Sequence, residues 1–173
     1  MTEEITIRPA LRQDWEQIVE IYNYYIVNTS YNFDYDVYTV QSRLSWFEQF
    51  QNQSVYQLLV GINESDQVVA YAATTPFGQN AGYHTSANIS IYCHPDYIKA
   101  GLGSRLLERI IEQCKSTGIH NLYAGITVSN DSSMKLFRKY NFIQVAHFNE
   151  VGYKFNQFWD VVWYEKRMNG KSE

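Results

Sequence analysis

At 173 residues, 45% of them hydrophobic and 18% charged, the chain is sized for one well-buried core and has no apolar run of membrane-spanning length. A formal net charge of -4, with no basic stretch larger than Lys135, Arg138 and Lys139, excludes the electrostatic footprint of a nucleic-acid binder. Cys93 and Cys114 have no zinc-like spacing with the four histidines and make no disulfide framework, and Met1-Thr2-Glu3-Glu4 does not read as a signal peptide, so a cytoplasmic protein without a metal site or membrane partner is expected.

Residues 4 to 9 read as a strand. A helix follows from Gln13 to Val27, with Trp15, Ile18, Val19, Tyr22 and Ile26 as its buried stripe. Residues 28 to 38, holding Thr29, Tyr31, Phe33, Asp34 and Asp36 without helical period, are either a substrate-facing loop or an ordinary aromatic surface turn. Thr39 is placed to cap a second helix carrying Leu44, Trp46, Phe47 and Phe50. Strands near 56 to 62 and 68 to 75 flank the turn-rich Asn63-Glu64-Ser65-Asp66 and are expected to pair antiparallel.

The apolar strand 85 to 93 leads through a short loop to Gly101-Leu102-Gly103 and an amphipathic helix. Its buried face is Leu102, Leu106, Leu107, Ile110, Ile111 and Cys114. Glycines let a phosphate approach the backbone, and a helix N-terminus supplies unpaired N–H groups and the positive end of a dipole. The same glycines could serve only as a tight turn. A dinucleotide fingerprint lacks its third glycine, because Leu106 stands there, and no Gly-Lys-Ser/Thr run exists for a P-loop. A strand over 121 to 128, a helix over 132 to 140 capped by Asn130 or Asp131, and strands near 142 to 148 and 158 to 166 complete the chain. The order β-α-α-β-β-β-α-β-α-β-β predicts one α/β domain over residues 1–173, with a mixed central sheet of about seven strands flanked by about four helices.

This order, with the run Ile98-Lys99-Ala100-Gly101-Leu102-Gly103, resembles the GCN5-related N-acetyltransferase superfamily and, within it, the phosphinothricin N-acetyltransferase group. The matching pieces are Ile7-Arg8-Pro9-Ala10, Ile21-Tyr22-Asn23, Ser90-Ile91-Tyr92, Gly101 to Leu107, Asn130-Asp131-Ser132-Ser133, Val151 to Phe155 and Trp159-Asp160-Val161-Val162. The resemblance implies a GCN5-related acetyltransferase fold and acetyl transfer from acetyl-CoA to a small-molecule amine, in a homodimer. Backbone N–H groups of Lys99, Ala100, Gly101, Leu102, Gly103 and Ser104 would hold the pyrophosphate. Ile91, Tyr92 and Cys93 would pair with the pantetheine arm, and Asn130 with Ser133 would contact it. Ile98 departs from the usual Gln or Arg, which backbone binding tolerates.

Acetyl transfer needs a neutral amine, a stabilised oxyanion and a proton for the departing thiolate. The Glu that serves as base in the resembling group falls at Asn88, and the Tyr that serves as acid in many superfamily members falls at Phe137. Asn88, Ser90 and Tyr92 share one strand face, so Asn88 and Tyr92, with His84 nearby, are the catalytic candidates. Tyr31, Phe33, Asp34 and Lys154 are the substrate candidates. A proton could leave through water or through His84, Tyr83, Asp34 or Asp36. Positioning alone could sustain a slower reaction. The chain could also bind acyl-CoA as a regulatory module, or acetylate peptide N-termini. Tyr153, Phe155, Phe158 and Trp159 are open between pocket, subunit contact and core, and Cys93 reads as a small core residue rather than a nucleophile.

Overall fold

The computed structural model describes residues 4–51, 54–98 and 101–168, so Lys99 and Ala100 of the expected phosphate-binding set lie outside the described residues. The elements are β1 (Thr6–Pro9), α1 (Trp15–Asn28), α2 (Leu44–Glu48), β2 (Leu58–Ile62), β3 (Val68–Pro76), β4 (Ser86–Cys93), α3 (Leu102–Cys114), β5 (Asn121–Thr127), α4 (Asp131–Lys139), β6 (Ile143–Lys154) and β7 (Gln157–Arg167). One seven-stranded sheet runs β1-β2-β3-β4-β5-β7-β6, antiparallel throughout except where β4 meets β5. The mixed sheet and four helices are those the element order predicted. Among the described residues no helix is long and apolar enough to cross a membrane.

Each helix forms where its stripe places apolar groups on a sheet face. In α3 all six stripe residues are buried, each worth roughly 2 kcal/mol in apolar area removed from water. They pack with β5, α4 and the Ala70, Ala72, Ala87 and Ile89 side of the sheet. The opposite face is covered by α1 and α2, which bury Trp15, Ile18, Val19 and Phe47 against Val60, Tyr71 and Ala73. In α1 the buried stripe also takes in Ile21 and Tyr25, while Tyr22 is only half-buried. The cluster under α1 and α2 contains no β5, β6 or β7 residue, so half of that sheet face is left to loops.

Two elements differ from the expectation. The second helix shortens to Leu44–Glu48 after a single tight turn, although Thr39 Oγ1 does accept the Ser42 N–H as a cap at 3.1 Å. Strand β6 continues to Lys154, well past the expected end near 148. Glu150 has φ 51°, and the register shifts between Phe148 and Gly152, so a bulge hides the strand's alternation. The β6–β7 hairpin then turns on Phe155 and Asn156, both at positive φ. Two left-handed residues are what a two-residue hairpin needs, but Phe carries no turn signal.

Candidate active site

Strands β4 and β5 pair only through Ser86–Asn121, Ala87–Leu122 and Asn88–Tyr123, and then part. Their remaining residues, with the start of α3 and one face of α4, line a groove of about 370 Å³. Backbone direction in the gap follows from alternation along the strand. His94 N–H bonds back to β3 at Val69 O, while Thr85 O accepts from His120 and Asn121 on the β5 side. Odd-numbered residues of β4 therefore turn N–H and C=O into the gap: Ile89, Ile91 and Cys93. The Cys93 carbonyl is occupied, accepting the Tyr25 hydroxyl at 2.7 Å.

At one end of the groove the chain turns into α3 through Gly101, in the left-handed region at φ 71°. A Cβ built there would meet nothing within 4 Å, so the glycine answers to backbone conformation and faces open space. Gly103 answers to packing, because its Cβ would stand 3.3 Å from Leu136 of α4. The N–H groups of Leu102, Gly103 and Ser104 have no intrahelical acceptor and border the groove, which suits an anion. An extended arm carrying a pyrophosphate fits this set of strand amides and helix-start N–H groups.

Across the groove, α4 begins at Asn130, whose Oδ1 accepts from the Ser133 N–H at 3.1 Å and the Ser132 hydroxyl at 3.0 Å. The cap uses its oxygen, and the two Nδ2 hydrogens are what it can offer a ligand. Asn130 and Ser133 both line the groove, as do Ile91, Tyr92, Cys93, Gly101, Leu102, Gly103 and Ser104. Phe137 also borders it but is buried and stacked edge-on against Phe142.

On the sheet face left open by α1 and α2, the segment 29–36 crosses toward β6. Thr127 Oγ1 donates to Ser30 O at 2.7 Å, Lys154 Nζ donates to Asn32 O and Oδ1 at 3.0 and 3.1 Å, and Tyr35 donates to the Tyr153 carbonyl. Phe33 lies against Gly152 so closely that a Cβ there would come 2.1 Å from the ring. Lys154 is buried, and burial holds its ammonium below the ordinary lysine range despite the opposing field of Asp34. Asp34 accepts the Tyr22 hydroxyl at 2.5 Å. Burial pushes Tyr22 upward, and the nearby Tyr92 and the hydrogen bond to Asp34 add to that.

The catalytic candidates separate. Tyr92 is wedged among Tyr22, Tyr25 and Tyr71, and burial pushes it up to about 12 although the Arg43 guanidinium opposes this. Asn88 donates Nδ2 to Pro76 O at 2.9 Å, and its Oδ1 is buried with no hydrogen-bond partner. His84 is exposed, its ring turned onto Ala81 O of its own turn at 2.9 Å, and it does not reach the groove. Of the substrate candidates, Tyr31 lines the groove, whereas Phe33, Asp34 and Lys154 do not border it and are held instead against Gly152, Tyr22 and Asn32.

Sequence reasoning missed Tyr25, Gly125, Thr127 and Arg43. The Arg43 guanidinium is stacked over Tyr22 and Trp46 at 4.2 and 4.3 Å, with Nη1 buried and unpartnered. Tyr25 continues the α1 stripe one turn past Ile21, a signal that was available; nothing in the sequence marks Arg43.

Residues 7–163 match the family model described as an acetyltransferase (GNAT) domain. The phosphinothricin N-acetyltransferase of Streptomyces coelicolor is 31% identical over 95% of this chain and 97% of its own length. The L-methionine sulfoximine/L-methionine sulfone acetyltransferase of Salmonella typhimurium is 30% identical over 95% of both. The structure of yncA from Salmonella typhimurium with its cofactor acetyl-CoA superimposes with a TM-score of 0.91 at 30% identity, covering 98% of this chain and 96% of that one.

Proposed function

Because this chain belongs to the GNAT acetyltransferase family, we propose that it transfers the acetyl group of acetyl-CoA to the primary amine of a small amino-acid-like substrate, of the phosphinothricin or methionine sulfone/sulfoximine type. The observation that carries this reading is the parting of β4 and β5 above the left-handed Gly101 turn, which opens strand amides and helix-start N–H groups onto one groove. Gly101, Leu102, Gly103 and Ser104, with Lys99 and Ala100, would hold the pyrophosphate of the acyl donor. Ile91 and Cys93 would pair with its arm, and Asn130 and Ser133 would meet that arm from α4.

The amine enters over the sheet face that α1 and α2 leave uncovered. Asn88 stands where relatives of the resembling group carry a Glu base, and an amide takes up no proton at neutral pH. Its orphaned Oδ1 is an acceptor suited to an amine N–H, since pairing would remove a desolvation cost of about 1–3 kcal/mol. An Ile91 N–H aimed into the gap is suited to the thioester oxygen as it gains charge. Asp34, with Tyr22 and Lys154 beside it, gives the acceptor side a polar wall, and His84 has no part in this reading. The free thiols Cys93 and Cys114 agree with a cytoplasmic enzyme.

The test is thiol release from acetyl-CoA against phosphinothricin, the two methionine analogues, ordinary amino acids, polyamines and short peptides, with acetyl-CoA binding measured on the same sample. Turnover is expected on the amino-acid-like compounds. Turnover confined to peptides would replace this substrate class, and binding without any turnover would make the chain a regulatory acyl-CoA module.

A further inference from the structure

Release of the thiol requires a proton donor at the groove, and α4 lines it with Ser132, Ser133, Leu136 and the buried Phe137, none of which is a readily ionised acid. The ionisable O–H and S–H groups among the residues lining the groove are those of Tyr25, Tyr31, Tyr92, Cys93 and Tyr97. Four of them are otherwise engaged. Tyr25 donates to Cys93 O at 2.7 Å. Tyr92 is enclosed by three tyrosine rings on the α1 side of the sheet. Tyr97 accepts from Asn63 Nδ2 at 3.1 Å, at the β2–β3 turn. Cys93 packs against the α3 core.

Tyr31 differs. Its backbone is fixed: its N–H donates to Thr29 Oγ1 at 3.2 Å, the preceding Ser30 carbonyl accepts from Thr127 Oγ1, and Ser30 Oγ lies 3.2 Å from Ser129 Oγ. This staples residue 31 to the junction of β5 and α4, across the groove from β4. The residue is 37% exposed, its ring lies 6.3 Å from that of Tyr25, and its hydroxyl has no hydrogen-bond partner among the described residues.

From this placement we propose that Tyr31 is the general acid of the reaction, protonating the leaving thiolate from the loop side instead of from α4; the proposal rests on the acetyltransferase reading above. After the amine nitrogen has bonded to the acetyl carbon, the C–S bond breaks and its electron pair goes to sulfur. The Tyr31 O–H proton passes to sulfur, giving the free thiol. The phenolate is reprotonated by the proton that the new amide nitrogen loses, directly or through water, so Tyr31 is restored. No oxidant, metal or further reactant is needed.

The experiment compares the native chain with Tyr31→Phe, which removes one exposed, unpartnered hydroxyl and leaves the ring. With acetyl-CoA and a turned-over amine, kcat falls about 100-fold while the acetyl-CoA dissociation constant changes less than about twofold. With the selenoester analogue of acetyl-CoA, whose selenolate leaves as a stable anion, the deficit shrinks to less than about threefold. A native chain that releases no thiol with any amine overturns the acetyltransferase reading and this inference with it. A native chain that turns over alongside an equally active Tyr31→Phe variant overturns the assignment to Tyr31 alone. An equal deficit with both donors makes Tyr31 a positioning residue and overturns its role as acid.

Discussion

The Cys93 thiol borders the groove yet belongs to the α3 side of the sheet, and burial pushes it up to about 11. A group so raised is a thiol at neutral pH and becomes a thiolate only as pH climbs toward that value, so it is a poor nucleophile under working conditions. Cys93→Ala is therefore expected to keep kcat within about twofold, and iodoacetamide at pH 7.5 should label the native residue far more slowly than a free thiol. Loss of turnover in that variant, or rapid labelling that abolishes activity, would restore the cysteine as a covalent carrier. The apolar company of Cys93 was legible in the sequence, because a strand surrounded by Ile89, Ile91 and Tyr92 leaves a cysteine little to do but pack. The Tyr25 bond to its carbonyl was not. The two residues are 68 positions apart, and only the docking of α1 on the sheet brings them together.

Between residue and molecule, the segment 29–36 acts as a strap from α1 to β6. Its hold on β6 is the contact of Phe33 with Gly152, together with Lys154 on Asn32 and Tyr35 on the Tyr153 carbonyl. A methyl group at residue 152 cannot coexist with the Phe33 ring, so Gly152→Ala must move the strap. The end of the groove at the start of α3 lies on other elements and should not feel it. The amine KM is expected to rise about tenfold, equivalent to about 1.4 kcal/mol, with acetyl-CoA affinity unchanged. Steady-state kinetics beside calorimetry separates the two, and a variant with native amine KM would show that the strap does not shape the acceptor site. Helices α1 and α3 and the hairpin of β2 and β3 were legible, because their apolar periods and turn residues agree with the packing they enter. The reach of β6 was not, since the bulge at Glu150 breaks its alternation and Phe155 occupies a conformation that sequence patterns assign to Gly or Asn. The loop 28–38 could be recognised as irregular and aromatic, but its attachment to a strand more than a hundred residues away could not.

At the scale of the molecule, the sheet ends in β6, which has β7 on one side and, among the described residues, no strand on the other. An edge of twelve residues is a standing invitation to pairing unless it is covered or charged. Here the side chains point the other way: of seventeen large hydrophobic residues exposed among those described, seven lie between Ile143 and Phe158, including Val151 and Phe158 at 60% and 61%. The family resemblance implies a homodimer, and pairing of this edge with a second copy of the chain is the arrangement put to test. Sedimentation equilibrium at micromolar concentration is expected to give a dimer for the native chain and a monomer for Val151→Lys with Phe158→Glu, the circular dichroism of the two being alike. A native monomer under those conditions would remove the dimer. Because Gly152, Tyr153 and Lys154 of the same strand hold the strap, dissociation should also loosen the acceptor side. The monomeric variant is then expected to show a raised amine KM with native acetyl-CoA affinity, the same pattern as Gly152→Ala. A monomer with unchanged amine KM would mean that β6 holds the strap without help from a partner, and that assembly and catalysis are independent.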